Sequence, residues 1–195
     1  MIRLILSAAI AYLLGDISPA ILISKALGGD IREKGSGNAG STNMLRNYGK
    51  KAAVATLAID VLKGFVAVKL GFLLAGATGA YLAAVFVMIG HIWPAFFGFK
   101  GGKGVAAALG TLLAVDWKLA LVMLVFALAI MAVSRMVSLG SVLGAAALPV
   151  LCIFMHRGFT LYALVMAAIV IFKHRSNIKR IMDGTESKLD FSKYK

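Results

Sequence analysis

Seven apolar stretches, parted by short polar segments, leave this chain one class of fold: helices that cross a membrane. Each stretch lacks the polar face that a helix of a soluble protein turns to water. Of the 195 residues, 61% are hydrophobic, and the mean hydropathy is +0.90. A soluble domain has about 45–50% apolar residues. The expectation is therefore an all-α integral membrane protein, residues 1–195 forming one polytopic membrane domain.

The pattern predicts a first span over 2–27, kinked by Gly15 and Pro19, because proline removes one backbone donor. Its apolar run passes Pro19, and its leading segment carries only Arg3, so it reads as a retained span and not as a cleaved leader. Spans follow at 52–74 and 79–97, with Gly71, Gly76 and Gly79 marking the turn between them. Further spans are expected at 118–134, at 137–155 with a break near Pro149, and at 159–173, before a polar tail. The stretch 104–115 is the odd one. As a helix it rises roughly 18 Å, against a hydrocarbon core of about 30 Å.

Two polar islands interrupt the apolar pattern: GSGNAGSTNMLRNYG at 35–49 and FGFKGGKGVA at 97–106. Two spans separate them, so they share a membrane face. A turn at Asp116–Trp117 makes four spans between the second island and the tail, which brings the tail to that face too. The charges agree. Sixteen of the 21 Lys and Arg residues fall on this side, four (Arg3, Lys69, Lys118 and Arg157) on the other, and Lys63 inside a span. Basic loops stay in the cytoplasm, so the N-terminus is expected outside and the C-terminus inside. The net charge of +13 thus reads as topology and anion binding, not as nucleic-acid binding. A single cysteine, Cys152, allows no disulfide within the chain. The three histidines, His91, His156 and His174, show no zinc spacing, so neither metal nor cofactor is expected.

The first island suits a small anion. Glycines let backbone N–H groups turn toward a ligand, while Ser36, Asn38, Ser41, Thr42 and Asn43 add neutral donors and Arg46 a charged fork. A helix starting near Asn38–Ser41 would aim its N-terminal amides at one spot beside Gly37. In the second island, Gly101–Gly102–Lys103–Gly104 turns into a helix. A nucleotide P-loop needs glycine at position 97 and a hydroxyl at 104, and here those are Phe97 and Gly104, which leaves a phosphate cradle without the magnesium ligand. In the tail, His174 and Asn177 share a face if the last span continues, with Arg175 beside them. Glu186 reads either as a buried partner for a basic residue or as a solvated carboxylate. Asp60 and Lys63, i and i+3 inside a span, read either as functional charges or as a structural pair. Asp16, beside the kink, could hold a basic group of the first island.

Together, GSGNAGSTNMLRNYG, HIWPAFFGFKGGKGVA and HRSNIKRIMDGTESKL, with LLGDISPA and IDVLKG in the first two spans, resemble the bacterial acyl-phosphate:glycerol-3-phosphate acyltransferases, the PlsY family. The resemblance covers almost the whole chain. It implies transfer of a fatty acyl group from acyl phosphate to the 1-hydroxyl of glycerol 3-phosphate, giving lysophosphatidic acid and phosphate in phospholipid biosynthesis. It also implies a multi-pass protein of the bacterial inner membrane with a cytoplasmic active site, expected to act as a monomer among membrane lipids. An acyl phosphate is already activated, so no enzyme nucleophile is needed, and the chain has no G-x-S-x-G elbow. Nor is there a His-x4-Asp pair: Phe96, Leu161 and Lys179 stand five residues after the histidines. In this reading Ser36, Lys103, His174 and Asn177 are catalytic. Loop amides with Ser36, Asn38 and Thr42 hold the acyl phosphate, and Arg46 and Lys103 hold the acceptor's phosphate. A small transporter of a phosphorylated solute is the competing class, but it calls for an inverted repeat and midplane charges, and no repeat is found. A metal-dependent phosphotransferase would need paired acidic ligands, and none of the eight acidic residues is so paired.

Overall fold

The computed structural model describes residues 1–189. Lys193 and Lys195, counted above as topology charges, lie outside them. Among the described residues the protein is helical throughout, with no strand. The α-helices described are α1 (Ile2–Asp16), α2 (Pro19–Ala26), α3 (Ser41–Ile92), α4 (Val105–Val115), α5 (Trp117–Ser134), α6 (Val137–Met155), α7 (Thr160–Lys173) and α8 (Arg175–Met182). Among the described residues four helical stretches are long and apolar enough to cross a membrane, and five if the bent pair α7–α8 counts as one. The chain divides into two compact units, Met1–Val115 and a second beginning at Asp116.

In the first unit, the predicted first span is broken where Pro19 sits. Helix α1 ends at Asp16, and α2 starts at Pro19. In an unbroken helix the N–H of residue 19 would bond the carbonyl of Gly15. Proline has none, so that carbonyl is left bare in an apolar medium where water cannot serve it. Lys63, reaching over from α3, supplies the donor: its Nζ bonds Gly15 O at 3.0 Å and Ile17 O at 2.6 Å. Asp16 accepts from Phe96 N at 3.3 Å. It therefore holds the backbone before the second island, where a basic partner from the first island was expected.

Helix α3 is three limbs. Gly49, at φ 81°, breaks it once, and Ala75–Gly76, with Gly76 at φ 62°, breaks it again. The left-handed conformation at Gly76 is open to glycine without steric cost, and the chain doubles back there. Gly71 lies against Gly79 and Ala83, Ser7 Oγ bonds Gly79 O at 2.8 Å, and Lys63 meets His91. Helicity starts at Ser41, well before the expected residue 52, because the second half of the first island is the first limb. It stops at Ile92, short of 97, since Pro94 cannot continue it; Ala95–Phe97 forms a single 3-10 turn.

Close backbone approaches fix the packing. A Cβ on Gly15 would strike Val87 O, and one on Gly90 would strike Tyr12 O, so α1 and the last limb of α3 lie nearly in backbone contact. Gly64 and Gly110 do the same for the middle limb and α4. Small residues are how helices associate in lipid, where no hydrophobic force draws them together. Lys69 Nζ caps Ala114 O at the end of α4 at 3.1 Å.

In the second unit, Asp116 caps α5, its Oδ1 accepting from Lys118 N at 2.9 Å and Leu119 N at 3.2 Å. Helix α6 runs unbroken through Pro149, against the expected break. A Ser134–Met136 turn joins α5 to α6, with Arg135 left-handed at φ 59°.

Replacing Lys63 by Met would strip the Gly15 and Ile17 carbonyls and leave the buried Asp60 without its cation. Breaking a buried pair costs about 3–5 kcal/mol, a fall in thermal midpoint on the order of 10 °C for a chain of this size. Thermal unfolding of the detergent-solubilised variant measures it, and an unchanged midpoint contradicts the capping role.

Candidate functional site

One buried side chain, Asn43, holds the first island in shape. Its Nδ2 is shared among the carbonyls of Ile31 at 3.2 Å, Lys34 at 2.9 Å and Asn38 at 3.0 Å. Its Oδ1 accepts from Ser36 N at 3.2 Å and Asn47 Nδ2 at 3.0 Å. That engages both ends of the carboxamide. Asn43, expected among the phosphate contacts, is turned inward because a glycine-rich loop has no apolar side chains to fold around. Gly40 is the extended N-cap of α3. The helix's first bonds to it come from Asn43 N and Met44 N, which leaves the amides of Ser41 and Thr42 in the orphan position of a first turn, at the positive end of the dipole. Thr42 and Arg46 are i and i+4 on one face. Ser36, Gly37 and Arg46 are exposed.

The two islands are fastened together. Arg32 grips the Asp30 carboxylate, with NH2 to Oδ2 at 2.6 Å and Nε to Oδ1 at 3.0 Å, and donates through NH1 to Phe97 O at 2.7 Å. The Arg32 guanidinium holds the Asp30 carboxyl down at about 2, against a smaller opposing effect of burial. Arg32 was expected only as a topology charge; the one sequence signal for its role is the acid two residues earlier. A second junction lies where Gly102 packs on Ala39 O.

In the second island, the expected cradle of glycine amides is not built. Gly101 N donates to Ile92 O at 3.2 Å and Gly102 N to His91 O at 3.1 Å. These amides close the C-terminal end of α3, whose carbonyls otherwise lack donors, so they are not available to a phosphate. Beyond these amides the turn carries Lys103 and leads into the start of α4. Gly104, left-handed at φ 88° against Ile92 and Met88, gives its carbonyl to Ala108 N at 2.8 Å and so opens α4. The starts of α3 and α4 thus lie two and three residues from the Ala39–Gly102 contact. Two positive helix ends beside Arg46 and Lys103 can bind two anions.

Beneath this lies a polar cluster. Lys63 Nζ is 2.8 Å from Asp60 Oδ1, with both side chains buried. His91 Nδ1 stands 3.1 Å from the same oxygen. His91 was read only as an isolated histidine. The signal that could have found it is the Asp60–Lys63 pair, since buried charges need further partners.

The second unit holds the tail residues. The last span does not continue: α7 ends at Lys173 and α8 departs at 59°. His174, at the bend, still places Nδ1 2.8 Å from Val170 O, which assigns the proton to Nδ1 in the neutral ring. His174 is 3% exposed and Asn177 6%, so both face inward as a helical i,i+3 pair would. Glu186 is the knot of this unit. Its Oε1 accepts from Ser138 Oγ at 2.7 Å and Asn177 Nδ2 at 2.7 Å, and its Oε2 from Arg180 Nε at 2.7 Å. Burial pushes the Glu186 carboxyl up, but the bonds from Ser138, Asn177 and Arg180 together outweigh it and hold the group below its usual range. Nothing in the sequence singled out Ser138. Arg175, expected at a phosphate, lies over the Phe172 ring and bonds Phe172 O at 3.2 Å. Among the described residues no three His, Cys, Asp or Glu side chains gather as a metal site.

Residues 5–184 match the model of the family described as glycerol-3-phosphate acyltransferase. The chain is 45% identical over 193 residues to the glycerol-3-phosphate acyltransferase of Clostridioides difficile (strain 630), covering 95% of each. It is 43% identical over 194 residues to that of Geobacter sulfurreducens, covering 96% of this chain and 98% of the relative. Its fold superposes on the crystal structure of PlsY (YgiH), an integral membrane glycerol 3-phosphate acyltransferase, in its glycerol 3-phosphate form. There the TM-score is 0.93 and the identity 35%, with 97% of each chain covered. For the lysophosphatidic acid form the TM-score is 0.89 at the same 35% identity, with 96% of this chain and 95% of that chain covered.

The bonds to ionised Glu186 give a signed pH dependence. Its folded value is lowered, so its contribution is full above the ordinary glutamate range and is lost as pH falls through the lowered value. The thermal midpoints of wild type and Glu186→Gln should differ most at pH 7 and draw together only as pH falls below the ordinary glutamate value of about 4.3. A gap independent of pH contradicts an ionic role for Glu186.

Proposed function

The chain belongs to the glycerol-3-phosphate acyltransferase family and is a membrane acyltransferase of phospholipid synthesis; we propose that its donor is an acyl phosphate and that the two fastened islands hold both phosphates of the reaction. The observation that carries this is the Ala39–Gly102 junction, which sets the N-terminal ends of α3 and α4 side by side. One site then presents two dipole ends, Arg46 and Lys103 to two anions that must approach one another.

Chemistry follows from that arrangement. The 1-hydroxyl oxygen of glycerol 3-phosphate attacks the acyl carbonyl carbon, and the bond from that carbon to the bridging oxygen breaks. Inorganic phosphate leaves, and its oxygens take up the hydroxyl proton. Ser36, Asn38, Ser41 and Thr42, with the first amides of α3, bind the acyl phosphate. Arg46 and Lys103 bind the phosphate of glycerol 3-phosphate. Cation contacts offset the repulsion between the phosphates, and holding the reactants in line supplies much of the rate. Asn43 keeps the loop in shape, and Arg32 keeps the islands together. On the resemblance of the tail motif alone we carry His174 and Asn177 into the same reaction, with His174 the alternative base.

Seven crossings support a cytoplasmic site on an inner membrane. Four helical stretches and the bent α7–α8 pair give five, the doubling back of α3 at Gly76 adds one, and short α4 is the seventh. With the basic segments inside, the N-terminus lies outside, and the protein acts as a monomer.

The deciding experiment is acyl transfer by purified protein to glycerol 3-phosphate from acyl phosphate or from acyl-CoA. Lysophosphatidic acid should form from acyl phosphate alone; product from acyl-CoA alone overturns the donor assignment, and product from neither overturns the reading of the site. Arg46→Ala should raise KM for glycerol 3-phosphate at least tenfold, the loss of one charge-assisted contact of about 1.5–3 kcal/mol. His174→Gln should keep turnover within about tenfold of wild type, below the 10²–10⁴-fold that general base catalysis contributes. A larger loss makes His174 the base.

A further inference from the structure

Lys63 has three N–H donors, and three oxygens surround it: Ile17 O at 2.6 Å, Asp60 Oδ1 at 2.8 Å and Gly15 O at 3.0 Å. With all three engaged, Lys63 has no proton left for His91 Nδ1, 3.0 Å away. His91 Nδ1 must therefore carry its own proton and give it to Asp60 Oδ1 at 3.1 Å. An imidazole held in this way has its tautomer and ring plane fixed by the carboxylate, as carboxylates fix histidines elsewhere.

The opposite edge of the ring faces the second island. Gly102 lies on it: a Cβ there would fall on His91 Nε2 and come within 2.8 Å of Cε1 and of Ala39 O. The same turn is tied to the same residue by Gly102 N bonding His91 O at 3.1 Å. Lys103 is the next residue. The height of the turn above the cluster, and with it the point from which Lys103 reaches out, is set by where this ring edge stands.

We propose that His91, oriented by Asp60 and Lys63, is a positioning residue for the acceptor's phosphate: its outer ring edge seats Gly102 and so aims Lys103, without itself touching substrate. The inference rests on the reading of the islands as the glycerol 3-phosphate site. A residue that merely filled space would affect the amount of folded protein. A seat affects KM for glycerol 3-phosphate and leaves KM for acyl phosphate nearly unchanged.

The test is a double-mutant cycle on the full-length protein in detergent, with KM for each substrate, kcat and thermal midpoint measured for every variant. His91→Asn keeps a donor near Nδ1 but removes the outer edge, whereas His91→Gln places an amide close to where Nε2 stood. Gly102→Ala alone should raise KM for glycerol 3-phosphate at least tenfold, with KM for acyl phosphate changed less than threefold. Made in His91→Asn, the same substitution should raise it threefold or less, the contact with Ala39 O remaining. Made in His91→Gln, it should keep the tenfold effect. An equal factor in all three backgrounds overturns the proposal. So does an unchanged KM in Gly102→Ala alone, whether or not the His91 variants fold. If wild type itself transfers no acyl group, the functional reading fails and takes this inference with it; active wild type without coupling removes the inference alone.

Discussion

Within the first unit, much depends on one ammonium group at a broken helix. A membrane interior tolerates no bare backbone carbonyl, yet Pro19 leaves Gly15 O without its helical donor. Lys63 fills that place and is itself neutralised by Asp60. Three consequences follow from this arrangement. The first helix is bound to the middle limb of α3, its break is fixed, and Asp16, next to that break, is placed where it takes Phe96 N. The second island therefore starts from a backbone position determined by a cluster in the apolar region.

From that base the first unit sets the helix ends that we propose as the binding surface. Most of the loop hydrogen bonds are internal: Asn43 closes the first island, Arg32 ties it to Phe97 O, and the amides of Gly101 and Gly102 close α3. The groups left for the proposed ligands are fewer than the motif suggests, but the loops that carry them are held by internal hydrogen bonds. Such preorganisation suits a reaction in which two anions are brought together and the donor is already activated.

Composition and periodicity carried the architecture far. The short helix at 105–115, the break at Asp116 and the kink at Pro19 were all legible, because each follows from chain length against membrane thickness or from a missing N–H. Helix α6 passes Pro149 without the break that the sequence predicts: neighbouring structure can absorb a proline inside a membrane helix, and the sequence does not say when it will. At the site, residue types were legible but directions were not. Asn43 and Ser41 look alike in a glycine-rich stretch, and only the fold turns one inward. The partnership of Lys63 with His91, 28 residues apart, and of Glu186 with Ser138, 48 apart, leaves no local pattern to read.

In the reaction we propose, the acyl group passes directly between two held phosphate substrates, with no covalent enzyme intermediate. Rapid mixing of stoichiometric protein with acyl phosphate alone, followed by phosphate release and intact-protein mass, tests it most directly. Direct transfer gives no burst of phosphate and no acylated protein until glycerol 3-phosphate is added, when phosphate and lysophosphatidic acid appear together. A burst near one phosphate per protein, with a matching acyl mass on the chain, would contradict it.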